Sequence, residues 1–373
     1  MRPGGTETES RRGQWRTDPW AIAMGLLGGV LLGTGLTFAI LGYVGVFEEP
    51  TPPTIPPAPT LTVPTPTSPP PTFGDTASVA SVAARVAPST VAIEFSGFLQ
   101  AGGGSGVVYG DDGYIISNHH VIDAGDQLFV VFADGARFPA EVVGSDPVTD
   151  IGVLLVERQD LAPISIGSAA DISIGDPAVA IGNPLGLAGG PTVTSGIVSA
   201  LDRRLRGAGT NLYGLVQTDA PIAPGSSGGA LVDSAGRLIG ITTAIAVSDV
   251  GPEGLGFAVP IDIASGVAND LIERGEVRHA VLGIVGETAW AADGGAEFPV
   301  GVLVETITAD SAYAEAGGQI NDVIVELDGI QVRTIDTLLA RVRRYRAGDI
   351  VPVRILRADT EATFDVTMGL LNP

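Results

Sequence analysis

Three residues in this sequence have the side chains and local settings needed for nucleophilic catalysis by a serine. A serine hydroxyl is a poor nucleophile at neutral pH until a neighbouring base takes its proton, and that base needs a partner that fixes its tautomer. Ser227 lies in a Gly-Ser-Ser-Gly-Gly run, whose glycines allow a tight turn that points amide N–H groups at a developing oxyanion. His120 ends an apolar run and Asp150 begins another. The chain order His120, Asp150, Ser227, with separations of 30 and 77 residues, predicts the first two in one β-barrel and the serine in a second.

The run around Ser227 also fits G-x-S-x-G, the nucleophile elbow of α/β-hydrolases. That fold requires a helix after the serine and a catalytic histidine late in the chain. Residues 230–240 instead have the pattern of strand, turn and strand, and the only histidine after Ser227 is His279. The sequence therefore disfavours an α/β-hydrolase, and His279 is interpreted as an ordinary linker residue.

The elements that must position these residues are mostly strands. Many short β-branched runs at close spacing, without alternating helices, are typical of an all-β sandwich or barrel. A helix is predicted from Pro260 to Arg274, with three apolar residues at helical spacing and Gly275 beyond its end. The predicted strands of this part are VAIEF, GVVY, YIIS, QLFVVF, EVVG, IGVLLV and RLIGITTAI.

A smaller α+β unit of about 90 residues follows His279, with strands at GVLVETI, DVIVELDG, VPVRILR and ATFDVTM. It contains one strongly amphipathic helix that is predicted to stop at Gly348. The opposite face of this helix, which carries three arginines, is expected to be solvated. The apolar residues of the helix are Ile335, Leu338, Leu339, Val342 and Tyr345, and the arginines are Arg341, Arg343 and Arg344.

An uncharged stretch near the amino end predicts a membrane anchor. Residues 21–46 carry no charged side chain, and a helix of that length is about 39 Å long, enough to cross a hydrocarbon core of about 30 Å. Four arginines precede the stretch and two glutamates follow it. The positive-inside rule then predicts residues 1–19 in the cytoplasm, residues 20–47 as a single-pass signal anchor in the cytoplasmic membrane, and everything after them outside. The alternative is a cleaved signal peptide, which needs a shorter apolar region that ends in a small-residue cleavage site. This stretch is too long and has no obvious site of that kind, so the anchor is favoured.

Residues 48–75 are predicted to form a stalk between the anchor and the folded part. Proline and threonine dominate them, so the segment has little apolar surface to bury. Each proline also lacks a backbone N–H donor. We expect an extended, semi-rigid spacer.

The overall composition excludes several classes of function. The formal net charge is −22 and every basic residue is an arginine, which argues against nucleic acid and anionic lipid as partners. There is no cysteine, so neither a disulfide framework nor a thiolate metal site can form. The three histidines show no metal-ligand spacing, and no phosphate-binding glycine loop is present. No metal or cofactor is therefore expected, and no use of ATP.

The chain resembles the high-temperature-requirement A (HtrA, or Deg) family of trypsin-like serine proteases over about residues 76–370. Ser226, Gly152 and Ala230 depart from the family's usual Asn, Ala and Pro. Three motifs carry the resemblance in the family's order: T-N-x-H-V at residues 117–121, D-x-x-T-D-[IL]-A-V at residues 146–153, and T-D-A-x-I-x-P-G-N-S-G-G at residues 218–229.

The resemblance implies a mostly β, two-barrel trypsin-like protease domain at residues 76–275 and a PDZ domain at residues 278–370. It makes His120 the general base, Asp150 its orienting carboxylate and Ser227 the nucleophile. Main-chain N–H groups of Gly225 and Ser227 are then expected to form an oxyanion hole lined by Ser226. The resemblance also implies a carboxylate-binding loop for peptide C-termini, made of Val281, Leu282, Gly283 and Ile284.

Together these features predict an extracytoplasmic serine endopeptidase that cleaves misfolded or unfolded proteins without ATP, through an acyl-enzyme. The family resemblance adds a homotrimer as an expectation. The alternative is a catalytically silent scaffold or sensor whose PDZ domain binds exposed C-termini, and the complete triad argues against it.

Overall fold

The computed structural model describes residues 78–96, 101–184, 190–207, 210–243, 255–293, 295–358 and 360–371. These residues all belong to one compact unit of the chain, Thr72–Pro373. The predicted cytoplasmic segment, transmembrane helix and stalk lie outside the described residues and remain predictions. Within the described ranges, no helix is long and apolar enough to cross a membrane.

Six antiparallel strands close the first barrel in the order β1-β2-β3-β6-β5-β4. Its interior is aliphatic, and Ile93, Ile115 and Leu154 are fully buried. Burial of a side chain of this size stabilises the fold by roughly 1.5–3 kcal/mol. The strands are β1 (Thr90–Ser96), β2 (Ala101–Val108), β3 (Tyr114–Ser117), β4 (Gln127–Val131), β5 (Arg137–Asp146) and β6 (Ile151–Val156).

A second barrel closes in the order β10-β11-β12-β9-β8-β7. Every residue of its strand β11 is buried, including the two threonines at the end of that strand. The strands are β7 (Pro177–Gly182), β8 (Thr192–Gly207), β9 (Thr210–Thr218), β10 (Ala230–Val232), β11 (Leu238–Thr243) and β12 (Gly256–Pro260). The two barrels confirm the mostly β fold.

Among the described residues, three α-helices accompany the barrels: α1 (Val79–Val86), α2 (His119–Ile122) and α3 (Ile261–Arg274). The third begins directly after Pro260 and ends at Gly275, whose φ of +75° is a left-handed conformation that glycine adopts without strain. Its buried face packs against β11 and includes the apolar residues of the predicted helix. The prediction for this helix is confirmed.

The smaller domain is a five-stranded sheet path in the order β14-β15-β16-β18-β19, with β17 paired to β16 and a separate β13-β20 pair. Helix α4 (Ala312–Glu315) and helix α5 (Ile335–Val342) complete it. The strands are β13 (Ala280–Val281), β14 (Ile284–Asp293), β15 (Ala296–Ile307), β16 (Val323–Leu327), β17 (Ile330–Gln331), β18 (Ile350–Arg357), β19 (Thr360–Thr367) and β20 (Gly369–Leu370).

Helix α5 is shorter than its sequence pattern predicts. The helix ends at Val342, six residues before Gly348, because the chain then turns so that Arg346 forms an antiparallel β-bridge with His279. Leu338 and Val342 are buried in the core of the small domain, so the predicted apolar face is correct although the predicted end is not.

The expected solvated face of helix α5 is also wrong. Helix α5 packs against β8 and β9 of the second barrel, and its charged side chains pair with that barrel. Arg341 and Arg344 reach Asp202 at 2.6 and 3.5 Å. The pattern of an amphipathic helix shows which face is polar, but it does not show whether water or another charged surface covers that face.

Candidate active site

The structure joins two of the predicted catalytic residues directly. The His120 Nδ1 atom lies 2.9 Å from both carboxylate oxygens of Asp150. The aspartate side chain is only 3% exposed, whereas that of His120 is 37% exposed. In this arrangement the buried carboxylate orients the imidazole, and the partly exposed imidazole can still reach a substrate.

Main-chain geometry fixes both partners in place. Asp150 has a φ of +58° immediately before β6, and its carbonyl oxygen accepts hydrogen bonds from Asn118 Nδ2 at 2.9 Å and the His119 N–H at 3.1 Å. The His120 N–H donates to the Asp150 carboxylate at 3.1 Å. The ring of the neighbouring His119 instead lies 2.8 Å from Ser145 Oγ, so this histidine makes a local structural contact.

Thr243 is a further partner of Asp150 that the sequence did not reveal. Its Oγ1 donates to Asp150 Oδ2 at 3.1 Å, and it stands at the end of β11 in the second barrel. The aspartate therefore has side-chain partners from both barrels. The sequence carries little signal for this contact, because Thr243 is only the second of two threonines that end the apolar run of β11.

The loop of Ser227 closes the site from the second barrel. Gly225 and Gly228 have φ values of +89° and +85°, and a Cβ on Gly228 would lie 2.1 Å from the Ser105 carbonyl oxygen. Ser227 is 6% exposed, and its carbonyl accepts the Ser105 N–H at 2.7 Å. A Cβ on Gly104 would meet both Val121, the neighbour of His120, and the Ser227 carbonyl oxygen, so the histidine segment and the serine loop converge on one glycine.

The main-chain N–H groups of the three predicted oxyanion-hole residues do not all serve the same purpose. The Ser226 N–H donates to the Ala223 carbonyl at 3.0 Å, so it stabilises the turn itself. The N–H groups of Gly225 and Ser227 are the two donors that the sequence predicts for binding an oxyanion. The Ser226 side chain is nearly buried, at 9% exposure.

Asp146 anchors the turn that ends at Asp150. Its carboxylate accepts the Thr149 N–H at 3.0 Å and the Thr149 hydroxyl, and it lies 2.9 Å from His279 Nε2. Burial acts to raise the pKa of Asp146, but the hydrogen bonds from His279 and Thr149 outweigh it and hold that pKa below its usual value. The interpretation of His279 as an ordinary linker residue is therefore wrong, because His279 is buried and tethers the small domain to the turn that ends at Asp150.

The predicted carboxylate loop borders a cavity of about 480 Å³ in the small domain. Gly283 has a φ of +76°, and its carbonyl oxygen accepts from the Thr308 N–H at 3.0 Å. The Leu282 carbonyl accepts from the Tyr313 N–H at 2.9 Å, so the two central carbonyls of the loop are bonded within the domain. The opposite wall of the cavity is helix α5, and the apolar lining residues include Ile284, Ile335, Leu338, Leu339 and Val342.

Comparison with known proteins supports the protease domain and the PDZ domain that the sequence predicts. Two antiparallel barrels with the candidate triad at their junction define the class of trypsin-like serine proteases. The family description "Trypsin-like peptidase domain" matches residues 104–241, and "PDZ domain" matches residues 272–368.

Individual relatives narrow the class. Serine endoprotease DegS of Escherichia coli is 40% identical over 275 residues, which cover 71% of this chain and 76% of DegS. Serine protease PepD of Mycobacterium tuberculosis is 37% identical over 315 residues, covering 78% of this chain and 66% of PepD. The solved structure "HtrA-type protease AlgW with tripeptide" is 35% identical with a TM-score of 0.65, covering 79% of this chain and 98% of that one. The chain belongs to the HtrA/Deg family of trypsin-like serine endoproteases with a C-terminal PDZ domain.

The low pKa of Asp146 predicts a loss of stability in acid. Because the folded pKa lies below the unfolded value of about 3.9, the ionised carboxylate stabilises the fold above that value, and the contribution disappears as the pH falls through the folded pKa. Asp146→Asn should lower the free energy of unfolding by about 1–3 kcal/mol at neutral pH. Denaturant titrations should show the difference from the unsubstituted protein shrinking below about pH 4.

A matched control is Asp134→Asn. Arg158 lowers the pKa of Asp134 to about 2, but this pair lies at the surface. Salt of about 0.5 M should therefore screen the effect of Asp134→Asn and leave most of that of Asp146→Asn. A difference for Asp146→Asn that is constant from neutral pH to pH 3 would show that the carboxylate charge is not what stabilises this turn.

Proposed function

We propose that the protein hydrolyses peptide bonds of misfolded or unfolded proteins through an acyl-enzyme formed on Ser227. The observation that carries this proposal is the buried Asp150 carboxylate bonded to His120 beside the glycine-rich Ser227 loop. The family's serine endoprotease members support it. An extended, unfolded segment is the substrate form that can enter a cleft between two barrels, and no ATP-binding loop occurs in the sequence.

Each step of the proposed reaction uses a named group. His120 takes the proton from the Ser227 hydroxyl as its oxygen attacks the scissile carbonyl carbon, and Asp150 stabilises the imidazolium that forms. The N–H groups of Gly225 and Ser227 bind the negative oxygen of the tetrahedral intermediate. His120 then gives the proton to the leaving amine, the C–N bond breaks, and a water molecule hydrolyses the resulting ester by the same route.

Ser227→Ala should abolish cleavage of an unfolded substrate such as casein while leaving the fold nearly intact, since it removes one hydroxyl from a turn. His120→Ala should lose a comparable factor, on the order of 10⁶ in kcat by analogy with another serine protease, because triad members act as a unit. The matched control is His119→Gln, which changes the adjacent histidine and its bond to Ser145 only.

Casein turnover is measured beside labelling of the purified protein by a fluorophosphonate, with the modified residue mapped. Robust cleavage by the Ser227→Ala variant would contradict the assignment. An unlabelled, inactive parent protein would favour the silent PDZ scaffold instead.

We propose that the cavity beside Val281, Leu282, Gly283 and Ile284 binds apolar C-terminal peptides. The bonded carbonyls of the loop and the apolar wall of helix α5 support this role, and the AlgW structures named for bound peptides are consistent with it. A peptide would add a strand beside β14, an edge strand of the sheet, and present its carboxylate to the loop amides.

A hydrophobic C-terminal peptide should bind this cavity with micromolar affinity, about −8 kcal/mol. Amidating its terminus should remove most of the affinity, because the charge-assisted bonds to the loop are lost. The measurement is calorimetric titration of the Ser227→Ala protein with matched free-acid and amidated peptides. Equal affinities would exclude a carboxylate loop at residues 281–284. Protease assays of the active protein with each peptide then show whether binding also changes the rate.

We propose further that the protein forms homotrimers, as the family resemblance implies.

We also propose that residues 20–47 anchor the protein in the cytoplasmic membrane. Residues 1–19 then lie inside, and the protease and PDZ domains lie outside. The charge asymmetry around the apolar stretch supports the orientation. Protease added to intact spheroplasts should cut the stalk and release a fragment of about 300 residues. A reporter fused after Pro373 that is active only in the cytoplasm would contradict this topology.

A further inference from the structure

Two buried hydroxyl groups hold consecutive carbonyls of the Ser227 loop. Ser105 Oγ donates to the Gly225 carbonyl at 2.7 Å, and Thr242 Oγ1 donates to the Ser226 carbonyl at 2.6 Å. Ser105 is fully buried and Thr242 is 1% exposed, so neither hydroxyl has water as an alternative partner. Ser105 stands on β2 of the first barrel and Thr242 on β11 of the second. The loop is therefore held from both barrels.

The direction of the Ser105 bond is fixed because a carbonyl oxygen can only accept. The hydroxyl oxygen also accepts the Asn183 N–H at 2.8 Å, and this second bond holds the side chain in place. The main chain of Ser105 is fixed as well, since its N–H donates to the Ser227 carbonyl at 2.7 Å and its carbonyl accepts the Ser117 hydroxyl at 2.7 Å. Ser105 therefore holds the loop at two points, Gly225 and Ser227.

Each held carbonyl fixes the orientation of the peptide unit to which it belongs. In a planar trans peptide the C=O and the N–H point in opposite directions. Holding the Ser226 carbonyl on Thr242 therefore aims the Ser227 N–H away from Thr242. The peptide between Gly225 and Ser226 is held at both ends, by Ser105 on its carbonyl and by Ala223 on its N–H, which fixes the chain on the C-terminal side of Gly225.

We infer that Ser105 and Thr242 are positioning residues for the oxyanion site: Thr242 orients the Ser227 amide, and Ser105 fixes the main chain that directly follows the Gly225 amide. This rests on the proposed acyl-enzyme mechanism and adds to it two side chains that act through the loop and touch no reacting atom. Preorganised donors stabilise a transition state only if they need not reorient during the reaction. Losing either hydroxyl removes one of the two hydrogen bonds that hold a peptide unit of the loop. The Gly225–Ser226 unit would keep only its bond to Ala223, and the Ser226 carbonyl would keep only the Gly229 N–H at 3.0 Å.

The test compares Ser105→Ala, Thr242→Val and Thr242→Ser in the full-length protein, with a fluorogenic peptide substrate. Loss of an oxyanion-hole donor itself lowers kcat by about 10²–10³-fold, so a residue that acts through such donors should cost about 10–100-fold. We expect that loss in kcat for Ser105→Ala and Thr242→Val, with KM changed less than about threefold. Thr242→Ser keeps the hydroxyl and should remain within about threefold of the parent in kcat.

A second measurement separates positioning from general stability. A peptidyl boronic acid, which mimics the tetrahedral intermediate on Ser227, should lose affinity by the same factor as kcat/KM in each variant, because both report on the oxyanion site. The matched control is Thr90→Val, which also removes a buried hydroxyl bonded to a main-chain carbonyl, that of Val86, but lies on β1 away from the loop. It should change the melting temperature without changing kcat or the boronate affinity.

The inference is overturned if Ser105→Ala and Thr242→Val resemble Thr90→Val, with lower melting temperatures but unchanged kcat and boronate affinity. If Ser105→Ala does not fold, the comparison of Thr242→Val with Thr242→Ser decides the matter, since Thr242→Val keeps the shape of threonine without the hydroxyl and Thr242→Ser keeps the hydroxyl. Failure of the proposed function has a different signature: the parent protein would neither turn over the substrate nor be labelled at Ser227.

Discussion

The buried carboxylate of Asp150 is the constraint on which the rest of the structure depends. A buried charge is costly unless it is paired and hydrogen-bonded. Asp150 meets this requirement with His120 from the first barrel and Thr243 from the second, so its partners are complete only when the two barrels meet in one arrangement. The left-handed φ of Asp150 is held by hydrogen bonds from residues 118 and 119 to its carbonyl. The fold and the candidate triad are therefore satisfied by the same contacts.

The same need to pair a buried carboxylate links the two domains. Asp146, at the start of the turn that ends at Asp150, is satisfied in part by His279 at the entrance of the PDZ domain. Helix α5 then lies with its apolar face toward the cavity beside residues 281–284 and toward the domain core, and with its charged face on β8 and β9. Arg204 of β8 reaches Asp336 of this helix at 2.9 Å. The PDZ domain thus contacts the protease domain in two places. One is the turn from Asp146 to Asp150, and the other is the strand pair β8 and β9.

Lack of space decides the form of the Ser227 loop. A Cβ on Gly228 would lie 2.1 Å from one carbonyl oxygen, and a Cβ on Gly229 would lie 2.6 Å from another, so main chain packs directly on main chain at the junction of the barrels. At such a junction the carbonyls must find donors within the protein. The hydroxyls of Ser105 and Thr242 supply two of these donors. The close approach that glycine permits and the hydrogen bonds that fix the loop are parts of one arrangement.

The sequence by itself determined the features that depend on local pattern: the strand-rich barrels, helix α3 between Pro260 and Gly275, and the motifs containing His120, Asp150 and Ser227. Tertiary structure alone decided which distant groups meet. Thr243 lies 93 positions from Asp150, His279 lies 133 from Asp146, and Ser105 lies 120 from Gly225. A threonine within an apolar strand or an arginine on a helix face has the same local pattern whatever it contacts. Periodicity determines which way a side chain points, whereas its partner depends on how barrels and domains pack together.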